Sequence, residues 1–139
     1  MHQQSITEAK NIQSYRVIMP NGIIGFNDFK HYTLSEINIP FWELTSVEDH
    51  SIKFMMMELE DLSVGNISYD ETDFTNILSV VDLGLKDVKI FVILSVETND
   101  DGSKSMTLNM RAPFVYHPES YRGWQLVLAD PKYPIAHRI

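Results

Sequence analysis

The feature that most constrains the fold is a strand–turn–strand pattern in the second half of the chain. Along residues 86–97 apolar side chains fill alternate positions, and Phe91 and Ile93 lie between them. An Asn-Asp-Asp-Gly turn follows at residues 99–102, and residues 105–111 then alternate apolar with polar side chains. Because Asp-Gly readily adopts the positive φ angles of a hairpin turn, the pattern predicts two antiparallel strands. We expect the first to be buried on both faces and the second on one, with Ser105, Thr107, Asn109 and Arg111 facing water.

Short β-rich segments fill most of the remaining chain. They cover residues 15–19, 29–37, 41–47, 52–59, 114–117 and 122–128, and turn residues separate them. Pro40 lies between the second and third segments, as expected of a residue that cannot donate to a β-ladder. The three methionines at residues 55–57 are predicted to pack in the core on both faces of their strand, although methionine is also common on adaptable binding surfaces.

A single helix is predicted between the strands. Its apolar residues recur at i, i+3, i+4 and i+7, and they are Phe74, Ile77, Leu78 and Val81. Asp70 is a plausible N-cap, and Gly84 follows the last apolar residue. Many short strands with one short helix favour an all-β fold, mainly antiparallel, that is either a small barrel or a sandwich.

The length of 139 residues suits one domain. We expect residues 14–139 to form it and residues 1–13 to be a flexible N-terminal segment. Cysteine is absent, which excludes disulfides, thiolate nucleophiles and cysteine-ligated metal centres. No apolar run approaches the ~20 residues of a membrane-spanning helix, and no secretory signal is apparent. We therefore expect a cytoplasmic protein with no membrane partner.

The formal charge of −8 is concentrated in one part of the chain. Residues 43–82 hold ten of the 19 acidic side chains and a single base, Lys53. Such a surface would repel a phosphate backbone, so direct nucleic-acid binding is disfavoured. It would attract basic protein partners, or it could serve solubility alone.

No pattern of catalytic residues emerges. The five histidines, at positions 2, 31, 50, 117 and 137, show no ligand-pair spacing, and no nucleophile elbow or phosphate loop is present. Residues 22–25 are predicted to be a tight turn. We therefore expect no enzymatic activity, no metal and no cofactor. Two alternatives remain open: a small-ligand-binding barrel, and a metal-dependent enzyme using His31, His117 or His137.

Three stretches of the sequence, in the same order, resemble one family pattern. In residues 105–138 the matching side chains are Thr107, Asn109, Ala112, Pro113, Arg122, Gly123, Gln125 and Tyr133. Residues 21–26 are similar to a pattern E-G-L-P-G-F, and Pro40-Phe41 with Leu44 and Ser46 is similar to P-F-x-x-L-Q-S. On these residues the chain resembles the FliW family of flagellar assembly factors. It departs from that pattern at Asn21, Ile24, Thr45, His50 and His117.

The resemblance implies a cytoplasmic, non-enzymatic regulator, chaperone-like in its contact with flagellin. FliW-like proteins bind the translational repressor CsrA and relieve its repression of flagellin messenger RNA. They also bind flagellin itself, which couples flagellin synthesis to assembly. The acidic segment agrees with such a role, because an RNA-binding repressor has a basic surface.

These implications suggest candidate partner-binding residues. The acids expected to steer the repressor are Glu58, Glu60, Asp61, Asp70, Glu71 and Asp73. Phe54 and Met57 are expected to supply contact energy, because exposed charges each contribute less than about 1 kcal/mol. Arg111 and Arg122 are candidates for flagellin binding, with His117 beside them near the strand ends. Asn109 and Gly123 are expected to serve the fold.

Overall fold

The computed structural model describes residues 13–65 and 67–139. Its strands are β1 Ser14–Ile18, β2 His31–Asn38, β3 Phe41–Ser46, β4 Lys53–Leu59, β5 Ser63–Val64, β6 Ile67–Ser68, β7 Lys89–Thr98, β8 Lys104–His117, β9 Arg122–Gln125 and β10 His137–Arg138. One helix, α1 Glu71–Leu78, continues into the 3-10 turn Ser79–Val81, and a second 3-10 turn, Leu85–Asp87, precedes β7. Within these ranges the predicted all-β class with one short helix is confirmed. The predicted flexible segment lies outside the described residues except for residue 13.

The main sheet closes into a barrel. Neighbouring strands pair in the order β8-β7-β4-β3-β2-β1-β9, and β9 also pairs with β8, which completes the ring. The pairings are antiparallel except between β1 and β9, where Ile18 and Arg122 meet in parallel. At this seam the backbone N–H of Ile18 donates to the carbonyl of Tyr121 at 2.7 Å. β10 extends the sheet beside β8, and β5 and β6 form a separate hairpin. Of the two predicted architectures, the structure is the barrel.

The first hydrophobic core fills the inside of the barrel. It receives the inward-facing side chain of every second residue along each strand, as the pleat requires. Its buried members are Val17, Met19, Ile23, Tyr32, Leu34, Trp42, Leu44, Met56, Phe91, Phe114 and Tyr116. Aromatic rings dominate this interior, and Trp42 packs edge-on against Phe91 with ring centroids 5.7 Å apart.

A second core lies outside the barrel, beneath α1. It contains Leu59, Tyr69, Phe74, Leu78, Ile90, Val92, Leu94, Leu108, Met110, Val115, Leu126, Leu128 and Tyr133. β7 therefore separates two cores. The prediction that the strand of residues 86–97 is buried on both faces is confirmed for residues 90–94 and wrong for residues 95–97, which are exposed. Met56 points into the barrel while Met55 and Met57 pack against the outer core, as predicted for the three methionines. The pairing of β7 with β4 ends at Leu94. Beyond that residue β7 loses this cover, and Val96 is 57% exposed.

Two sequence predictions are wrong in β8. The segments 105–111 and 114–117 are one strand, because the two residues between them lie in a bulge. Ile93 pairs with Asn109 and Phe91 with Phe114, so Pro113 lies in the bulge, where it needs no ladder donor. Thr107, expected to face water, is buried because β7 and β10 flank it.

The predicted helix is confirmed, but its end lies earlier than expected. Asp70 is the N-cap, and its carboxylate accepts from the N–H of Asp73 at 3.0 Å. Asp82, at φ 60°, ends the 3-10 continuation, whereas Gly84 has an ordinary φ of −107° and begins the next turn. The left-handed position therefore falls on an aspartate, a residue type that tolerates it.

Candidate functional site

The predicted acidic surface gathers at the base of the β5–β6 hairpin. The N–H of Tyr69 donates to the carbonyl of Leu62 at 2.7 Å and closes the hairpin. Asp61 directly precedes this pair and Asp70 directly follows it. The fold therefore brings the acids at the end of β4 close to those at the start of α1, although the hairpin separates them in sequence.

Three of the six predicted acids also hold the fold together. The indole N–H of Trp42 donates to Glu58 at 2.9 Å, and the other oxygen of Glu58 lies 3.6 Å from the ammonium of Lys89. Asp70 caps α1, as described above. Asp73 accepts from the hydroxyl of Tyr133 at 2.7 Å and forms an ion pair with Lys132 at 3.3 Å. The hydrogen bond from Tyr133, more than the charge of Lys132, lowers the pKa of Asp73 below its ordinary value.

The other three acids face solvent. Glu60, Asp61 and Glu71 are exposed, and within residues 13–65 and 67–139 their carboxylates form no hydrogen bond or ion pair. Their charges are therefore available to attract a partner without a cost to the fold.

A groove lies beside this surface, with a volume of about 420 Å³. Its lining combines five aliphatic and three charged side chains, and it consists of Glu58, Leu59, Glu60, Leu62, Leu85, Val88, Lys89 and Ile90. It runs between the base of the β5–β6 hairpin and the 3-10 turn before β7. Sequence reasoning missed it, because its walls come from segments that are distant in the chain.

The two predicted apolar contact residues lie on opposite faces of β4. Phe54 is half-buried on the barrel side, where its ring packs edge-on against Phe26 with centroids 5.4 Å apart. Met57 is half-buried on the outer side, against the core beneath α1. Successive faces alternate along a strand, so the two side chains cannot contact one flat partner surface together.

The predicted basic candidates also separate into two environments. His117 and Arg122 are directly opposite each other in the β8–β9 pairing, beside the seam at Ile18. The ring of His117 is 2.7 Å from the hydroxyl of Ser120, and Arg122 is exposed. Arg111 instead donates to the carbonyls of Tyr133 at 2.9 Å and Pro131 at 3.3 Å, so it ties the C-terminal segment to β8.

Asn109 stabilises the bulge in β8. Its side-chain oxygen accepts from the N–H groups of Arg111 at 3.2 Å and Ala112 at 3.1 Å. These donors lie where the ladder with β7 is interrupted, and buried N–H groups without acceptors are costly. The expected structural role of Asn109 is confirmed.

Gly123 and Gln125 hold the same region from β9. A Cβ on Gly123 would lie 2.7 Å from the ring of Phe114 and 3.0 Å from Val17, so only glycine lets that ring pack here. The side chain of Gln125 accepts from the N–H of Ile24 at 2.9 Å and donates to the carbonyl of Ala112 at 3.4 Å. It therefore connects the turn after β1 to the bulge.

The histidines named for the enzyme alternative are not gathered into a metal site. Across the described parts of the chain, no cluster of three or more His, Asp or Glu side chains could hold a metal ion. His31 contacts Glu48 at 3.1 Å, and hydrogen bonds from the ring and the backbone of His31 lower the pKa of Glu48.

The barrel interior that the ligand-binding alternative needs is filled by the first core. In the described ranges we also find no helix whose length and hydropathy would allow it to span a membrane.

The sequence of this chain matches one protein family over its full length. The family model described as FliW protein matches residues 1–139. The chain belongs to the FliW family. The flagellar assembly factor FliW of Natranaerobius thermophilus is 34% identical over 128 residues, which cover 87% of this chain and 79% of that protein. The protein of the same name from Alkaliphilus metalliredigens is 30% identical over 124 residues, covering 86% and 73% respectively.

The fold agrees with a solved FliW structure. A crystal structure of the flagellar assembly factor FliW matches with a TM-score of 0.66 and 27% identity, over 88% of this chain and 84% of that one. The chain is therefore a FliW-type flagellar assembly factor. The five departures from the FliW pattern, at Asn21, Ile24, Thr45, His50 and His117, are all exposed or half-buried. None of them enters either core.

Proposed function

We propose that this FliW-family protein acts without catalysis, by binding two proteins in the cytoplasm. The first is the translational regulator CsrA, whose repression of flagellin messenger RNA it relieves. The second is flagellin, which competes for the protein and so couples flagellin synthesis to assembly. The observation that carries the proposal is the acidic surface at the base of the β5–β6 hairpin, whose exposed carboxylates have no partner among the described residues.

Charge supports CsrA as the partner of this surface. A protein that binds RNA must present basic side chains, because phosphate contacts supply most of its non-specific affinity. Opposite potentials raise the rate of encounter, while apolar contacts supply most of the affinity. Glu60, Asp61 and Glu71 would act in the encounter. Met57 and the neighbouring apolar groove would act in the stable complex.

The barrel seam is the proposed region for flagellin. His117 and Arg122 lie side by side on its outer face, next to the exposed ring of Tyr121. Arg111, in contrast, binds carbonyls of its own chain. We expect Arg122→Ala to weaken flagellin capture, and Arg111→Ala to lower the melting temperature with little change in capture. The opposite pattern in a pull-down with thermal melts would reject this region.

The decisive experiment measures binding to CsrA and to flagellin of the same organism. The purified proteins are first mixed on a sizing column, where a complex with each is expected. Glu60, Asp61 and Glu71 are then changed together to Lys, and association with CsrA is followed by stopped flow at several salt concentrations. We expect the rate constant to fall about tenfold at low salt, with a flatter salt dependence.

The matched control reverses three exposed acids elsewhere, namely Glu97, Asp100 and Glu119. It changes the net charge by the same amount, so it isolates the position of the charges from their number. A control that slows association as much as the test variant would assign the effect to net charge. Wild-type rates and salt slope in the test variant would exclude the acidic surface from CsrA binding.

A further inference from the structure

The groove beside the acidic surface has the chemistry of a side-chain receptor. Its lining combines aliphatic side chains, including Leu62, Leu85 and Val88, with the carboxylates of Glu58 and Glu60. A second hollow of about 270 Å³ shares Glu58, Glu60 and Lys89 and extends to Glu36, Ile39 and Pro40. The two hollows therefore form one continuous surface on either side of Glu58.

Glu58 is held in place before any partner arrives. Trp42, which is almost completely buried, donates its indole N–H to one carboxylate oxygen at 2.9 Å. The side chain of Glu58 is 21% exposed, and its second oxygen faces Lys89 at the longer distance of 3.6 Å. A carboxylate that is already oriented and partly desolvated binds a cation with less loss of conformational entropy than a mobile one.

We propose that this groove receives an arginine side chain of CsrA together with an adjacent aliphatic side chain. This inference rests on the proposed function. Arginine fits both parts of the lining. Its planar guanidinium presents paired donors that match a carboxylate, and its methylene stem packs along apolar surface. The aliphatic neighbour occupies the second hollow, where Ile39 is 59% exposed.

The charge around the groove favours a cation over an anion. Glu36, Glu58 and Glu60 line the two hollows against a single base, Lys89. Because Lys89 is 3.6 Å from Glu58, an incoming guanidinium can displace it, and the ammonium can turn to solvent on its flexible stem.

The test neutralises the carboxylates of the lining without changing its shape. In the double variant Glu58→Gln and Glu60→Gln, the amide oxygen at position 58 still accepts from Trp42. Isothermal titration with CsrA should show the dissociation constant rising about tenfold or more. The control changes Glu97→Gln and Asp100→Asn. Glu97 lies about 26 Å from Lys89 along β7, since the strand rises ~3.3 Å per residue. It should change the constant less than twofold.

A second measurement does not depend on the double variant folding. Hydrogen exchange of the wild-type protein should show protection of residues 58–62 and 85–90 when CsrA is added, and none at residues 95–104. The single variant Glu60→Gln, at an exposed position, should weaken binding at an unchanged melting temperature.

The outcomes separate this inference from the proposed function. If CsrA binds the wild type and the double variant equally, or binds without protecting the groove, the inference is overturned while the proposed function stands. If flagellin binding alone is lost in the variants, the assignment to CsrA is overturned. If the wild type does not bind CsrA, both fail.

Discussion

The residues that match the FliW pattern use their polar groups to bind their own chain, whereas the carboxylates of Glu60, Asp61 and Glu71 in the acidic surface have no bond among the described residues. From Asn109 to Tyr133, side chains bind the backbone of their own chain: Asn109 caps the bulge, Gln125 bridges two segments, and Tyr133 reaches the start of α1. At the hairpin base, Glu60 and Asp61 form no such bonds with the described residues. A motif that identifies the family can therefore report on the fold, while the proposed binding of CsrA depends on side chains that the motif does not contain.

The largest expected effect in the signature region comes from Gly123→Ala. The new methyl group would lie 2.7 Å from the ring of the fully buried Phe114, so the barrel core must shift. Overpacking of this kind should lower the free energy of unfolding by about 2–3 kcal/mol, measured by urea denaturation. Gly84→Ala is the control, because its Cβ would be 3.3 Å from a flexible carboxylate at ordinary φ. Equal losses in both variants would contradict the account of Gly123.

Asn109→Ala should cost slightly less. It leaves two N–H groups in the bulge without their acceptor, which should lower the free energy of unfolding by about 2 kcal/mol. Asn109→Asp keeps an acceptor oxygen and should recover most of that loss. Affinity for CsrA, measured on the folded fraction, should not change in either variant. A large loss of affinity with normal stability would place Asn109 in the binding surface instead.

Removing the hydroxyl of Tyr133 should have a smaller effect. This hydroxyl accepts from the N–H of Asp70 at 3.0 Å and donates to Asp73 at 2.7 Å, so it ties the C-terminal segment to α1. Tyr133→Phe should lower the free energy of unfolding by about 1 kcal/mol. Chemical denaturation at pH 7 checks this value, and an unchanged midpoint would show that the hydroxyl contributes nothing.

The same contact predicts a pH dependence. The pKa of Asp73 lies below its ordinary value of 3.8 in the folded protein, because Tyr133 donates to the carboxylate and Lys132 is nearby. The stabilisation is therefore fully present above about pH 4 and is lost as the pH falls through the folded pKa. The stability difference between wild type and Tyr133→Phe should shrink over that acid range. A difference that stays constant from pH 7 to pH 2 would contradict the linkage.

The smallest effect on stability is expected from the acidic surface. Changing Glu60, Asp61 and Glu71 together to Lys removes no side-chain hydrogen bond or ion pair among the described residues. The free energy of unfolding should therefore stay within about 0.5 kcal/mol of wild type, although association with CsrA slows. A large loss of stability in thermal and urea denaturation would show that these acids also serve the fold and would weaken the contrast between the two regions.

Local patterns predicted most of the individual elements. The hairpin at residues 99–102 forms as expected, with the N–H of Gly102 bonded to Asn99 and a φ of 87° at the glycine. The helix begins at its predicted cap, and the alternation along β7 assigns Phe91 and Val92 to the correct opposite faces. These features depend on residues that are close together in the chain, so they can be predicted from the sequence alone.

The candidate site was predicted less completely. Its acids were found by charge alone, but nothing in the sequence separates Glu58, bonded to Trp42, from the free Glu60. Arg111 looked like an exposed cation, and its acceptors lie some twenty residues away, in the C-terminal segment. Such roles are set by which segments pack together, and residue type does not reveal them.

The sequence by itself determined the approximate positions of the main strands, where the helix begins, and that negative charge concentrates in residues 43–82. Only the tertiary structure decided that the sheet closes at Ile18 and Arg122, that β8 bulges under Asn109, and that Glu58 borders a groove. Alternation states which side of a strand is buried but not which strand lies beside it. That choice depends on the combined packing of two cores whose residues lie between positions 17 and 133 of the chain.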